Sequence, residues 1–141
     1  MSELIYKTAT DLAGAIRRRE VSAVEVVLAH LAQISKVNGD INAVVTVCEE
    51  RALARAREAD KAVARGESWG VLHGVPISVK DSYETEGVLT TFGDPSQFDN
   101  VPTWSTTVVD RLLDAGAILL GKTNLPPYSR NFQCENDLFG R

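Results

Sequence analysis

The sequence predicts an α/β fold in which a mixed, largely parallel sheet is flanked by helices. Two observations carry that expectation. Short runs dense in β-branched and aliphatic residues, at 42–47, 76–80 and 117–120, alternate with longer stretches whose apolar residues recur at helical spacing. The last two runs enclose one helical stretch, the strand, helix, strand order that favours parallel pairing through a crossover.

Thr8 and Asp11 suit the start of a short helix with Leu12, Ala13 and Ile16 on one face and Arg17, Arg18 and Arg19 at its carboxyl end, where cations oppose the macrodipole. Three consecutive arginines are also compatible with nucleic acid, but the acidic whole favours a solvated helix end. Ser22 and Glu25 form a capping box before Val24, Val27, Leu28, Leu31 and Ile34, a stripe that Asn38-Gly39 is expected to stop. His30 lies beside that stripe and reads as a helix-surface residue. Residues 42–47 follow as a strand.

From Glu49 to Arg65 alanines and alternating charges predict a third helix that can lie close against a neighbour, and Gly66 stops it. Pro76 opens the next strand, whose period of two sends Ile77 and Val79 to one face and Ser78 and Lys80 to the other. The irregular stretch 81–102 is rich in Gly, Thr, Asp and Pro, and long irregular connections in compact domains are often functional. Ser105 is the expected cap of a fourth helix that buries Val108, Val109, Leu112 and Leu113 and ends at Gly116. Residues 117–120 are then a buried strand, and Pro126-Pro127 forces an extended or turned path.

With 141 residues, 44% of them hydrophobic and 24% charged, the chain is one domain's worth with room for a sizeable core. A formal net charge of -4 argues against general binding to nucleic acid or an anionic membrane, since both need a basic surface. Cys48 and Cys134 are too few and too far apart for a disulfide scaffold or a metal cluster, and both are expected to be reduced thiols in a cytoplasmic protein. The first residues lack the basic start and long apolar core of a signal peptide, and no run approaches the roughly 20 apolar residues of a membrane span. No metal or cofactor is called for.

Lys80 closes a short apolar strand, at the end where parallel α/β sheets place ligands. Burial disfavours the ammonium form of a lysine, and an uncharged lysine accepts protons as a general base. Pairing with Asp81 or another carboxylate, or reaching out to water, are the alternative fates of such a side chain. A second lysine sits in Gly116-Ala117-Ile118-Leu119-Leu120-Gly121-Lys122-Thr123, which matches the spacing of a phosphate-binding P-loop. The context fails: the middle residues are themselves strand-like, and Asn124-Leu125-Pro126-Pro127 follows where a P-loop starts its helix.

The segment Gly70-Val71-Leu72-His73-Gly74-Val75-Pro76-Ile77-Ser78-Val79-Lys80-Asp81 resembles the hallmark of the amidase signature family. Three later blocks agree in order: Thr90-Thr91-Phe92-Gly93, then residues 115–124, then Glu135-Asn136-Asp137-Leu138-Phe139-Gly140-Arg141. The resemblance covers nearly the whole chain and implies the amino-terminal portion of an amidase domain, divided into a helical region with one strand (1–66) and a lysine-bearing core segment (67–141). It implies cleavage of amide bonds by a lysine, a serine in a cis peptide and a nucleophilic serine, with Lys80 matching the lysine. It also implies that Thr91, Gly93, Tyr128, Ser129 and Arg130 line the substrate pocket, although Pro127 stands where relatives often carry an acid. Arg130 could recognise a substrate carboxylate or simply lie at the surface.

The family's glycine-rich serine loop is expected soon after Arg141, and none of Ser78, Ser82, Ser105 and Ser129 has its glycine-flanked context. The expected partners are therefore a small-molecule amide and either the remaining carboxyl-terminal part of the fold or a second copy, with no direct contact to nucleic acid or membrane. A non-catalytic binding or assembly module, and the amidase subunit of a tRNA-dependent amidotransferase, remain open beside a free-standing amidase.

Overall fold

The computed structural model describes residues 3–141. Helix α1 (Ala9–Arg17) opens at Thr8, whose Oγ1 accepts the Asp11 N–H at 3.1 Å. The arginine run then does more than oppose a dipole. Arg19 turns into the left-handed region at φ 59° and donates to the Val63 and Ala64 carbonyls at 2.7 and 3.3 Å, so it caps the far end of another helix.

Helix α2 (Ala23–Ile41) begins with the Ser22/Glu25 capping box, reinforced by Asp60, whose carboxylate accepts the Ala23 and Val24 N–H groups at 2.6 and 3.2 Å. It does not stop at Asn38-Gly39 but continues to Asn42, which closes it in a left-handed conformation at φ 46°. The reason lies in Asn38: its side chain exchanges two hydrogen bonds of 2.8 Å with the Val44 backbone, pinning the start of the next strand instead of ending the helix. Strand β1 is consequently shorter than expected, Val44–Val47. The stripe is also displaced, with Val26, Val27 and Leu31 buried and Leu28 42% exposed.

Helix α3 (Glu49–Ala64) packs through Ala52, Ala56, Ala59 and Ala62, all buried and spaced three or four apart. Strand β2 (Pro76–Lys80) follows, then helix α4 (Thr107–Asp114) and strand β3 (Ile118–Thr123). Thr106, not Ser105, precedes α4, because the Ser105 hydroxyl is taken by the Glu86 N–H at 2.9 Å. The buried face of α4 is narrower than its sequence suggests: Val109 is enclosed, Leu112 and Leu113 are half-buried, and Val108 is 47% exposed.

The sheet order is β1-β3-β2, with β3 antiparallel to β1 and parallel to β2. The sheet is thus mixed, but of its two pairings only one is parallel. The crossover between β2 and β3 was legible in sequence, whereas β1 and β3 are separated by more than 70 residues and carry no local signal of their orientation. Helices cover both faces. Ile118 and Leu120 join Leu12, Ile16, Val26, Val27, Ala56 and Val75 in the core beneath α1, α2 and α3, which draws on both halves of the sequence. Leu119 joins Val79, Val88 and Val109 beneath α4.

Two irregularities tune this sheet. A Cβ on Gly121 would collide with the Thr46 carbonyl oxygen, so the close approach of β1 and β3 there requires glycine. The register with β2 shifts between Ile77↔Leu119 and Ser78↔Gly121, which leaves Leu120 as an extra, bulged residue. Beyond the bulge Val79 pairs with Lys122 and Lys80 with Thr123.

Candidate functional site

The approach to β2 is rigid. Buried His73 accepts the Trp69 N–H on Nδ1 at 3.0 Å, which leaves Nε2 to donate to the Ala59 carbonyl at 3.0 Å, tying the loop to α3. Gly74 and Gly116 pair through a 3.0 Å backbone hydrogen bond, and a Cβ on Gly116 would stand 2.7 Å from the His73 Cα. The strand that follows therefore starts from a fixed point and delivers Lys80 at its carboxyl end.

Lys80 is half-buried, and Val79 beside it is buried, as the period of two requires. None of the four ion pairs among the described residues includes Lys80, and its Nζ makes no hydrogen bond with them. It lines a cleft of about 240 Å³ with Ser78, Tyr83, Val108, Val109 and Leu112. Pairing with Asp81, one of the alternatives open from sequence, does not occur.

Asp81 instead turns inward, where Lys122 meets it. Lys122 is fully enclosed, at 0% exposure, with Nζ 3.5 Å from Asp81 Oδ1, 2.8 Å from the Tyr83 carbonyl and 2.7 Å from Thr90 Oγ1. Burial pulls the Lys122 ammonium below its ordinary range, and the Asp81 carboxylate opposes that shift. The lysine of the P-loop-like spacing is thus in a strand with its amine occupied, so no phosphate cradle forms.

Asp81 Oδ2 accepts from both the Thr91 N–H at 3.0 Å and the Thr91 hydroxyl at 2.5 Å, and the Asp81 carbonyl accepts the Phe92 N–H at 3.0 Å. These bonds fold residues 90–94 back onto the residue after Lys80. Thr91 is fully buried and its hydroxyl and amide are both occupied, so it contributes by holding Asp81 rather than by presenting a hydroxyl to a ligand. Gly93 is buried as well, and a Cβ there would lie 3.2 Å from the Leu125 carbonyl oxygen, so its place is also in the scaffold.

The second loop closes on the first. The Tyr128 N–H donates to the Phe92 carbonyl at 2.8 Å, its hydroxyl donates to Asp94 Oδ2 at 2.5 Å, and its ring stacks on Phe92 with centroids 5.9 Å apart. Arg130 also lies over that tyrosine, 5.4 Å from the ring centroid. Tyr128, Ser129 and Arg130 are all exposed. The tyrosine hydroxyl holds the Asp94 carboxyl below the usual carboxylate range, while Asp94 pushes the Tyr128 phenol up. Phe92, Tyr128 and Ser129 adopt φ of 56°, 50° and 59°, backbone strain concentrated where the two loops touch.

A continuous path of contacts therefore joins Lys80 through Asp81, Thr91 and Phe92 to Tyr128. Sequence reasoning placed Thr90 near the lysine but missed Lys122 and Asp94. Lys122 was hidden by its P-loop-like spacing, and the pairing of Asp94 with a tyrosine 34 residues away leaves no local trace. A larger cavity of about 800 Å³ lies beneath α3, but its Arg55 is committed to the Ala117 and Leu113 carbonyls at 3.0 and 2.6 Å. It holds none of the residues joined along this path.

Residues 25–141 match the family model described as Amidase. The chain belongs to the amidase family. Among curated relatives it is 41% identical over 140 residues to a glutamyl-tRNA(Gln) amidotransferase subunit of Neorickettsia sennetsu, covering 99% of this chain and 29% of the relative. It is 43% identical over 140 residues to the corresponding subunit of Salinispora tropica, covering 99% and 28%. Among solved structures, a fatty acid amide hydrolase superposes with a TM-score of 0.92 at 27% identity, over 98% of this chain and 24% of that one. A bacterial aryl acylamidase of the amidase signature family gives 0.90 at 27%, over 96% and 28%. The chain thus spans less than a third of the length of these relatives, and it carries the amino-terminal part of the amidase fold.

Proposed function

We propose that this amidase-family chain supplies the general base for amide cleavage, with Lys80 as that base, in the amidase subunit of a tRNA-dependent amidotransferase. The observation that carries the chemical part is Lys80 itself, an amine at a strand end, half-buried, lining a cleft and bonded to no described residue. A second lysine nearby takes up the carboxylate that would otherwise neutralise it. Uncharged Lys80 would draw a proton through a serine from the nucleophilic serine, which attacks the amide carbonyl to give an acyl-enzyme. The same route returns the proton to the departing amine or ammonia, and water then releases the acid. Both serines would come from the region after Arg141, where the family resemblance implies the glycine-rich serine loop.

Relatives between 39% and 43% identical, all named as the same glutamyl-tRNA(Gln) amidotransferase subunit, support the transamidating reading. A glutamine-like side-chain amide would then be the ammonia source, and partner subunits would carry the RNA, in keeping with the acidic charge of this chain. The exposed Tyr128, Ser129 and Arg130 are the residues of this chain best placed to meet a substrate. A free-standing amidase is the second reading, favoured by the tight superposition on a fatty acid amide hydrolase and an aryl acylamidase and by Pro127 in place of an acid.

Ammonia release from glutamine and from simple amides tests both. The polypeptide carrying this chain should release ammonia, and Lys80→Ala should lower the rate by about a thousandfold or more while the fold persists. Release from glutamine that depends on partner subunits supports the transamidating reading, and partner-independent release from simple amides supports the other. Undiminished turnover in Lys80→Ala would overturn the base assignment.

A further inference from the structure

Lys122 heads the large side chains that are wholly enclosed, and in the amide chemistry above it carries no proton and only takes up the Asp81 carboxylate. Enclosing an ammonium is costly unless its partners compensate, and an aliphatic residue would fill the same volume without that cost. The compensation here is directional. All three partners of the Lys122 amine belong to the stretch that follows Lys80: Asp81 Oδ1 at 3.5 Å, the Tyr83 carbonyl at 2.8 Å and Thr90 Oγ1 at 2.7 Å. The Asp81 N–H also donates to the Thr123 carbonyl at 3.1 Å, so β3 grips the residue after Lys80 by backbone and side chain together.

We propose that Lys122 is a positioning residue for Lys80. By holding Asp81, the Tyr83 carbonyl and Thr90, it fixes the peptide from which the Lys80 side chain departs, and thereby the place where that amine waits for the serine it serves. The inference rests on the reading of Lys80 as the base. Asp81 is the shared element: one oxygen faces Lys122, and the other holds Thr91. Losing Lys122 frees Asp81 Oδ1, which accepts no hydrogen bond, to swing toward the adjacent cation in the chain, Lys80. The base would then be both displaced and paired with an acid.

The test compares kcat and KM of the active polypeptide carrying this chain with those of Lys122→Met, Thr90→Val and Lys80→Ala, each at a temperature where it is folded by circular dichroism. Lys122→Met should lower kcat by about tenfold to a hundredfold with KM within about twofold, the cost of a misplaced reacting group. Thr90→Val removes one of the three partners and should lower kcat in the same direction by a smaller factor. A purely structural Lys122 would lower the melting temperature of either variant and leave kcat per folded molecule unchanged, and that result overturns the proposal. If Lys122→Met does not fold, Thr90→Val decides alone on the same two outcomes. Wild-type turnover in Lys80→Ala would overturn the underlying base assignment instead, a result recognisable without either of the other variants.

Discussion

Two lysines lie on neighbouring strands and differ in almost everything else. Lys80 lies beside a cleft with its amine bonded to no described residue, whereas Lys122 is enclosed and bonded to the stretch that covers it. The first was marked in the sequence by its strand-end position and by the family hallmark, but nothing there told that the second was the more deeply buried. Enclosure depends on residues 81–90 folding back over β3, an arrangement that no periodicity encodes. Its titration offers a check. Burial, the largest influence, lowers the Lys122 amine from its ordinary 10.5, and Asp81, Glu84 and Cys48 oppose that shift. Between the lowered value and 10.5 the unfolded chain holds a proton that the folded chain has shed, so stability gains as pH rises across that window. Denaturant unfolding of the wild type and of Lys122→Met through this range should show the alkaline gain in the wild type and its loss in the variant. Parallel curves would mean that Lys122 titrates as it does in the unfolded chain.

At the level of elements, what could be read ahead was what local chemistry decides. The Thr8 cap, the Ser22/Glu25 box, the alanine face of α3 and the start of β2 at Pro76 all follow from neighbours within four residues. What could not be read was settled by distant partners. Asn38-Gly39 looked like a helix stop until Val44 claimed the asparagine, and Ser105 looked like a cap until Glu86 claimed its hydroxyl. Gly121 belongs to the same class, since its need for a bare backbone comes from Thr46 across the sheet. Gly121→Ala should force β1 away from β3 and destabilise the fold by about 3 kcal/mol or more, at the upper end of overpacked cores because backbone must shift. An alanine variant that melts within about a degree of the wild type, far less than a change of that size produces, would show that β1 yields without cost.

For the molecule as a whole, the sheet ends at β2, which pairs with β3 on one side only among the described strands. The exposed Tyr83 and Val108 flank the cleft beside that edge. An open strand edge beside apolar surface is a template for association. The 141-residue polypeptide produced by itself should therefore form dimers or larger species that dissociate on dilution, read by light scattering. A monomer that persists from micromolar to near-millimolar concentration would contradict this.

The single extra residue at Leu120 carries a consequence for how this chain tolerates change. A pleated ribbon counts by parity, and Leu119 and Lys122, three apart, reach the same side only because one residue is spent out of step. Removing Leu120 would restore plain alternation and leave the inner amine where it is, at the loss of one core side chain, whereas one residue inserted after Gly121 would turn that amine outward. Homologous sequences of this region should accordingly keep an apolar residue of core size at this position and tolerate a shortening by one there more readily than an added residue before Lys122.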